Sequence, residues 1–302
     1  MKTTPERAAK LMKRATAASV TVATILIAIK LVAWMITDSV SLLSSVIDSA
    51  MDVLASLVNF IAVRHAIQPA DPEHRFGHGK AEPLAALAQA AFISGTGVFL
   101  VVEAAHRLSD PRPIEQGAVG IGVMGFSIVL TAILVVYQRY VIRKTSSTVV
   151  HADSLHYTMD VLVNGSVIVA ILLSTRLDWS FADPIFAIGI AGYIMYNAWK
   201  IGRRALDQLM DRELPNEARE RIKKIVLDHP AVVSMHDLRT RRSGVNTFIQ
   251  LHIEMDGALS LSRAHAVSDE VEAAILEAFP DAEVIIHSDP EGLEKPPSLA
   301  MQ

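Results

Sequence analysis

Six long apolar stretches separated by short polar breaks occupy the first two thirds of the chain. A helix needs about 20 mostly apolar residues to cross the hydrocarbon core of a bilayer, and each stretch reaches that length. The breaks carry turn-forming residues, as in the Gln-Pro-Ala-Asp-Pro run at 68–72. The pattern predicts six transmembrane helices, at residues 15–36, 40–66, 81–108, 117–140, 150–177 and 183–206.

The pattern of apolar positions changes beyond residue 211. Alternate apolar side chains such as Ile249, Leu251 and Ile253 predict a half-buried strand, whereas apolar residues at helical spacing predict two helices. The predicted elements are a helix at 215–228, strands at 232–241, 246–255 and 283–289, and a second helix at about 264–278. Their order, α-β-β-α-β, predicts a small α+β domain.

These patterns divide the chain into four predicted parts. They are an N-terminal segment at 1–14, a six-helix transmembrane domain at 15–211, an α+β domain at 212–290 and a flexible tail at 291–302. Basic residues precede the first span and follow the second, fourth and sixth spans. Because positive charge favours the cytoplasmic side, we expect both termini and the α+β domain there.

Composition and charge agree with a membrane protein that handles cations. Hydrophobic residues make up 51% of the 302 residues, which is high for a soluble domain. The part after residue 211 has ten Lys and Arg against sixteen Asp and Glu. This acidic balance suits cations and argues against nucleic acid as a partner. The chain has no cysteine, which excludes disulfides and thiolate metal sites.

Two of the predicted spans carry polar stripes. In the second span, Asp48 and Asp52 are four residues apart and share one helical face. In the fifth span, Asp153, His156 and Asp160 recur in steps of three and four. An ionised side chain inside a bilayer is costly unless it is paired, hydrated or bound to a metal. The stripes therefore predict that these two helices face each other across the bundle interior.

We predict that Asp48, Asp52, His156 and Asp160 surround one divalent metal ion. Three carboxylates and an imidazole provide four ligands, the number that tetrahedral zinc takes. Oxygen and nitrogen ligands also suit iron(II), cobalt, cadmium and manganese. The alternative is that these groups only bind one another across the bundle.

Two further clusters of candidate ligands lie outside the predicted spans. Asp71, His74 and His78 follow the second span and are spaced so that a tight loop could bring them to one metal ion. In the α+β domain, one or two ions could be held by a larger set, namely His236, His252, His265, His287 and Asp289. The alternatives are solvated loop histidines in the first cluster and scattered surface histidines in the second.

The sequence resembles the cation diffusion facilitator family, in particular its bacterial zinc and ferrous-iron efflux branch, from about residue 15 to residue 290. The resemblance rests on the strings Asp48-Ser-Ala-Met-Asp52, Phe76-Gly-His-Gly-Lys-Ala-Glu82, Leu155-His-Tyr-Thr-Met-Asp160, His236-Asp-Leu-Arg-Thr-Arg241 and Ile285-Ile-His-Ser-Asp-Pro290. It implies six transmembrane helices, a cytoplasmic ferredoxin-like domain, a homodimer formed through that domain, and efflux from the cytoplasm across a bacterial inner membrane.

The resemblance also assigns roles to individual residues. It implies that the membrane tetrad is the transport site, that the loop trio is a second metal site, and that the five α+β residues form a binuclear site. It further implies an interlock between Lys80 and Asp211. Four other histidines match nothing in the family pattern and are interpreted as structural or incidental: His65, His106, His151 and His229.

Ligand chemistry suggests how transport would be driven. Metal binding requires deprotonated ligands, so protons and metal compete for the same atoms. We therefore expect exchange of Zn²⁺ or Fe²⁺ for protons by alternating access. In the cytoplasmic domain a bound ion would either report metal to the transporter or be a permanent structural ion.

Two other classes of membrane protein are considered. An intramembrane protease uses two catalytic aspartates on separate helices, but here Asp48 and Asp52 share one helix and the second helix adds a histidine. A metal channel or a receptor-like sensor fits less well, because a buried site with four ligands favours tight binding and slow exchange over conduction. We expect a transporter that is not an enzyme and has no protein substrate.

Overall fold

The computed structural model describes residues 4–37, 40–109, 118–177 and 182–292. The chain forms two compact units, Met1–Leu206 and Asp207–Gln302, which are described separately below. The predicted tail at 291–302 lies outside the described residues from residue 293 onward.

The described residues of the first unit form six long helices, one for each predicted span. They are α1 Pro5–Thr37, α2 Val40–Ala66, α3 Ala81–Ser109, α4 Ala118–Thr145, α5 Thr148–Leu177 and α6 Ala182–Leu209. Helix α1 packs against α2 and α4, and α5 packs against α3 and α4. The helices carrying the two polar stripes, α2 and α5, are also in contact with each other.

The first helix begins ten residues earlier than the predicted span. Pro5 stands at its first position, where a missing N–H costs nothing, and Glu6 lies in the positive first turn. Ala8 and Met12 are buried, so the polar N-terminal segment continues the helix and packs one face. The prediction was too short here because the charged residues Lys10, Lys13 and Arg14 hid the apolar face.

The described helices have the surface expected of a membrane bundle. Four of them combine sufficient length and hydropathy to cross a bilayer, namely Pro5–Thr37, Ser45–Ala66, Ala81–His106 and Val119–Thr145. Large apolar side chains point outward, including Met35, Phe99 and Val136, which are 71%, 68% and 69% exposed. Helices α5 and α6 remain predicted spans, and the stripe on α5 lowers its hydropathy.

The second unit has the predicted α-β-β-α-β order. Its elements are α7 Asn216–Leu227, β1 Ser234–Ser243, β2 Asn246–Met255, α8 Leu261–Ala278 and β3 Ala282–Pro290. Strand β2 lies in the centre of the sheet, antiparallel to β1 and parallel to β3. The predicted alternation along β2 is confirmed, since Ile249, Leu251 and Ile253 are buried against the two helices.

The sheet has one irregularity close to the predicted cytoplasmic ligands. Its register shifts between His236 and Arg239, where Asp237 adopts a φ of 49°. A bulge of this kind bends a strand and changes the direction of its side chains, and bulges are common beside functional sites. The bulge therefore affects the end of β1 that carries His236.

Candidate metal centres

Three of the predicted membrane ligands lie together between α2 and α5. Asp52, His156 and Asp160 each offer a ligand atom, and these atoms lie within 4.8 Å of one another. Nε2 of His156 is 2.9 Å from Oδ1 of Asp52. The trio forms because His156 and Asp160 are four residues apart on α5 and therefore share the face that meets α2.

The fourth predicted ligand, Asp48, lies outside this group of three. Asp48 lies one helical turn before Asp52 on α2 and is exposed. The next residue, Ser49, accepts through its hydroxyl a hydrogen bond of 2.7 Å from Nζ of Lys30. The structure thus assembles three of the four predicted ligands and leaves Asp48 one turn away.

His156 is held in an enclosed position. Its side chain is 3% exposed, and its ring lies 6.0 Å from that of Phe92 and 5.4 Å from that of Tyr157. Within the described residues, its Nδ1 atom is buried without a hydrogen-bond partner. A buried ring whose nitrogen has no protein partner is suited to bind an ion, and rotation of the ring exchanges its two nitrogens.

One turn before His156, the buried carboxylate of Asp153 connects α5 to three other helices. It accepts hydrogen bonds from Ser19 on α1 at 2.6 Å, from Asn59 on α2 at 3.0 Å and from Gln138 on α4 at 2.7 Å. The sequence prediction placed Asp153 in the polar stripe but gave it no role. Three donors on three helices indicate that it fixes the position of α5.

The start of α5 is held by a second buried acid, Glu82, in the first turn of α3. Its Oε1 atom accepts hydrogen bonds from Oγ of Ser147 at 2.7 Å and from the backbone N–H of Thr148 at 2.6 Å. A carboxylate at a helix N-terminus pairs with free N–H groups and with the positive end of the helix dipole. Glu82 therefore connects the start of α3 to the helix that carries His156.

The predicted loop cluster forms between α2 and α3. Asp71, His74 and His78 offer ligand atoms within 4.8 Å of one another. Asp71 lies 3.4 Å from Nδ1 of His74 and 3.3 Å from Nε2 of His78. Hydrogen bonding from the backbone N–H of His74, more than that from Glu73, lowers the pKa of Asp71. An ionised carboxylate is the form that a metal ion binds.

The cytoplasmic cluster forms on one face of the sheet. His236, His252 and Asp289 offer ligand atoms within 4.8 Å of one another, because the three residues lie on adjacent strands. Oδ2 of Asp289 is 3.0 Å from Nδ1 of His252 and 3.5 Å from Nε2 of His236. His287 adjoins this group, with Nε2 3.2 Å from Oδ1 of Asp289, and its side chain is 64% exposed.

His265, the fifth predicted cytoplasmic ligand, lies apart from this group. Its side chain is 74% exposed, and its Nε2 atom is 3.6 Å from Asp269, four residues further along α8. Strand pairing brings the other four ligands together, whereas the direction of His265 depends on how α8 is rotated above the sheet. This rotation cannot be read from residue spacing.

Glu254 is a residue that the site prediction missed. It follows His252 by two positions on β2 and therefore points to the same face. Its Oε1 atom is 3.5 Å from Nδ1 of His236, and its Oε2 atom accepts a hydrogen bond of 2.7 Å from Ser234. A carboxylate behind a ligating histidine orients the ring and increases its basicity. The i, i+2 spacing was the available signal.

Two further predictions concern residues outside these clusters. Lys80 and Asp211 belong to different units, so their interlock stays a prediction, and within its own unit Asp211 lies 3.4 Å from Arg241. His229 has a structural environment: its Nδ1 accepts a hydrogen bond from Ala231, and its Nε2 lies 2.9 Å from Glu270. Hydrogen bonds to Glu270 from His229 and then from Arg263 lower the pKa of this glutamate.

Comparisons with known proteins agree over nearly the whole chain. The family model for the cation efflux transmembrane domain matches residues 16–210, and the model for the cytoplasmic domain of cation efflux proteins matches residues 214–291. The cation-efflux pump FieF of Salmonella choleraesuis (strain SC-B67) is 49% identical over 281 residues, which are 93% of this chain and 93% of that protein.

Two solved structures are also similar to part of the chain. The zinc form of the putative zinc transporter CzrB is 36% identical, covering 28% of this chain and 99% of that chain with a TM-score of 0.27. The metal-bound C-terminal domain of the CzcD transporter from Thermotoga maritima is 31% identical. The match covers 26% of this chain and 93% of that chain with a TM-score of 0.25.

The two family models and the FieF relative confirm the resemblance to the cation diffusion facilitator family. The relatives are transporters, so the intramembrane protease is excluded and the chain is not an enzyme. A membrane domain and a cytoplasmic domain of the same family follow each other in the expected order. The chain belongs to the cation diffusion facilitator family and is a cation efflux transporter.

Proposed function

We propose that this transporter exports Zn²⁺ or Fe²⁺ from the cytoplasm in exchange for protons. The observation that carries the proposal is the enclosed trio of Asp52, His156 and Asp160 between two helices of the bundle. Its oxygen and nitrogen atoms suit both ions, and the chain has no thiolate that would favour softer ones. Asp48, one turn along α2, is the proposed fourth ligand.

The geometry of the trio supports the exchange of metal for a proton. The contact of 2.9 Å between Nε2 of His156 and Oδ1 of Asp52 is a hydrogen bond, and one proton must lie between the two atoms. A metal ion that binds both atoms displaces that proton. Binding and protonation therefore exclude each other at the same pair of atoms, which is the condition for antiport.

Alternating access requires the trio to open to each side of the membrane in turn. The proposed ligands come from two helices, so a displacement of α2 relative to α5 changes the site. The hydrogen bonds of Asp153 and the cap formed by Glu82 hold α5 to the rest of the bundle. We propose a bacterial inner-membrane protein with both termini in the cytoplasm.

The other two clusters are proposed to bind metal without transporting it. The loop trio holds one ion close to the end of α2, and the cytoplasmic cluster holds one or two ions. In this family the cytoplasmic domain dimerises, and we propose a homodimer joined through it. Metal bound there favours one state of the transporter, since a ligand shifts an equilibrium towards the state it binds better.

Titration calorimetry of the purified full-length protein tests the proton exchange directly. Zinc binding in buffers of different ionisation enthalpy gives the number of protons released. We expect wild-type protein to release a proton that His156→Ala and Asp52→Ala do not release. His106→Ala, which changes an exposed histidine near the C-terminal end of α3, serves as the matched control. Equal proton release from all four proteins would contradict the assignment of the trio.

A further inference from the structure

The loop cluster has a neighbour that no metal assignment includes. His65 lies in the last turn of α2 and is exposed. Its ring meets the ring of His78 edge to face, with centroids 4.5 Å apart. The ring of His74 lies at the same distance from His78, on which both exposed histidines converge.

The loop trio provides one ligand fewer than a closed zinc site. Structural zinc is held by four protein ligands in a tetrahedron, whereas a site with three protein ligands keeps one position open to water. Asp71, His74 and His78 supply three. A fourth ligand from a neighbouring element would close the site.

His78 itself indicates that an ion belongs beside it. Its side chain is 5% exposed, and Nε2 faces Asp71 at 3.3 Å. Its other nitrogen, Nδ1, is buried and has no hydrogen-bond partner within the described part of the chain. An unpaired buried polar atom costs about 1–3 kcal/mol. A histidine binds an ion through one nitrogen, and rotation of the ring exchanges its two nitrogens, so a nitrogen of His78 is available to a cation beside the rings of His65 and His74.

We propose that His65 is the fourth ligand of the loop ion, which gives a site of one aspartate and three histidines. This inference rests on the proposed metal binding by the loop trio. A fourth ligand from α2 changes what that ion does, because Asp71, His74 and His78 all belong to the loop that precedes α3. With His65 the ion ties the end of α2 to this segment.

Through His65, the loop ion is connected to α2, the helix that carries Asp52. Asp52 lies thirteen residues before His65 on the same helix, a distance of about 20 Å at 1.5 Å per residue. Any movement of α2 that opens the trio must therefore move the fourth ligand of the loop ion or be limited by it. The loop ion becomes a restraint on the helix that carries Asp52.

A competing explanation is that the two rings only pack against each other. Two variants separate the explanations: His65→Phe keeps an aromatic ring but has no ligand atom, and His65→Ala removes both. A fourth ligand predicts that both variants lose the ion, whereas simple packing predicts that the phenylalanine variant keeps it. His74→Ala is the reference for loss of a loop ligand, and His106→Ala is the matched control for an exposed histidine.

The experiment measures Zn²⁺ bound by the full-length protein in detergent. Asp52→Ala and Asp289→Ala are present in every sample, so that the loop ion dominates the count. Competition with a chelator gives the affinity, and transfer to excess chelator gives the release rate. We expect His65→Ala and His65→Phe to weaken Zn²⁺ binding at least about tenfold and to release Zn²⁺ faster. Tenfold is the lower end of the loss in metal affinity when a residue that only hydrogen-bonds to a ligand is replaced.

The affinities of the variants decide whether His65 is a ligand. If His65→Phe holds Zn²⁺ as tightly as the protein with His65 intact while His74→Ala loses it, the loop site stands and His65 is not a ligand. If His74→Ala also keeps the ion, the loop trio is not a metal site and the inference fails with it. Neither result affects the proposed transport trio, which is tested separately by proton release from the protein with all its sites intact.

Discussion

The three hydrogen bonds accepted by Asp153 predict a measurable contribution to the stability of the helix bundle. Replacement by alanine removes the acceptor of three hydrogen bonds, from Ser19, Asn59 and Gln138. At about 0.6 kcal/mol for an average hydrogen bond between membrane helices, three of them contribute about 2 kcal/mol. An ionised acceptor raises this value, since hydrogen bonds to charged groups are worth about 1.5–3 kcal/mol each.

We expect Asp153→Ala to lower the thermal unfolding midpoint of the detergent-solubilised protein by at least about 4 °C. A loss of about 2 kcal/mol corresponds to about 4–8 °C in a unit of about 200 residues. Zinc affinity should fall as well, because His156 lies one turn further along the same helix. Intrinsic fluorescence during heating measures the first effect, and competition with a chelator measures the second.

The matched control is Thr158→Ala on the same helix. The hydroxyl of Thr158 donates a hydrogen bond of 2.7 Å to the backbone carbonyl of Ser154, within α5 itself. Its removal should leave the midpoint within about 1 °C, because it breaks no connection to another helix. If Asp153→Ala had the same unfolding midpoint and the same zinc affinity as the wild type, Asp153 would not be the residue that positions α5.

Three further predictions concern the cytoplasmic domain and the choice of metal. Glu254→Gln should weaken zinc binding to the cytoplasmic cluster about 10- to 100-fold, measured by calorimetry, because His236 loses the carboxylate behind it; unchanged affinity would remove that role. The pKa of Glu270 lies below its ordinary value of 4.5, chiefly through the hydrogen bond with His229. A carboxylate whose pKa is lowered in the folded state stabilises the fold at pH values above its pKa in the unfolded chain. The difference in unfolding temperature between wild type and Glu270→Gln should therefore be complete above pH 4.5 and vanish as the pH falls through the lowered pKa. A pH-independent difference would contradict this. His156→Asp should increase transport of Mn²⁺ relative to Zn²⁺ in vesicles, since an all-oxygen site suits manganese better; an unchanged ratio would show that His156 does not select the metal.

Helical and strand periodicity predicted most of the architecture. The second and fifth spans and the α-β-β-α-β order follow from apolar spacing, because buried faces must be apolar whichever partner covers them. The start of α1 was misplaced because Lys10, Lys13 and Arg14 conceal a helix that has only one buried face. Charge marks the end of an apolar stretch but does not mark the end of a helix.

The same reasoning predicted which helices meet but not which turns of them meet. The stripe on α2 placed Asp48 and Asp52 on one face, and periodicity could not decide which of the two lies level with His156. That depends on the axial offset between α2 and α5, which tertiary packing sets. The structure brings Asp52 to His156 and leaves Asp48 one turn away.

Residues behind the ligands were harder to predict than the ligands. Glu254 shares the face of His252, and Glu82 lies within a string used to identify the family, yet neither has a ligand spacing of its own. Their roles appear only once β1 lies beside β2 and the start of α3 lies beside the start of α5. Contacts between elements distant in the chain leave little trace in local sequence.

Coupled transport by reconstituted vesicles is the decisive test of proton-driven metal export. Protein is inserted into liposomes with a pH-sensitive dye inside, Zn²⁺ is added on one side, and metal uptake and proton flux are recorded together. We expect the wild type to accumulate Zn²⁺ against its gradient when a proton gradient is imposed. His156→Ala and Asp52→Ala should abolish both fluxes, whereas His106→Ala should not. Zn²⁺ flux that only follows its own gradient, or that persists without His156 and Asp52, would contradict this expectation.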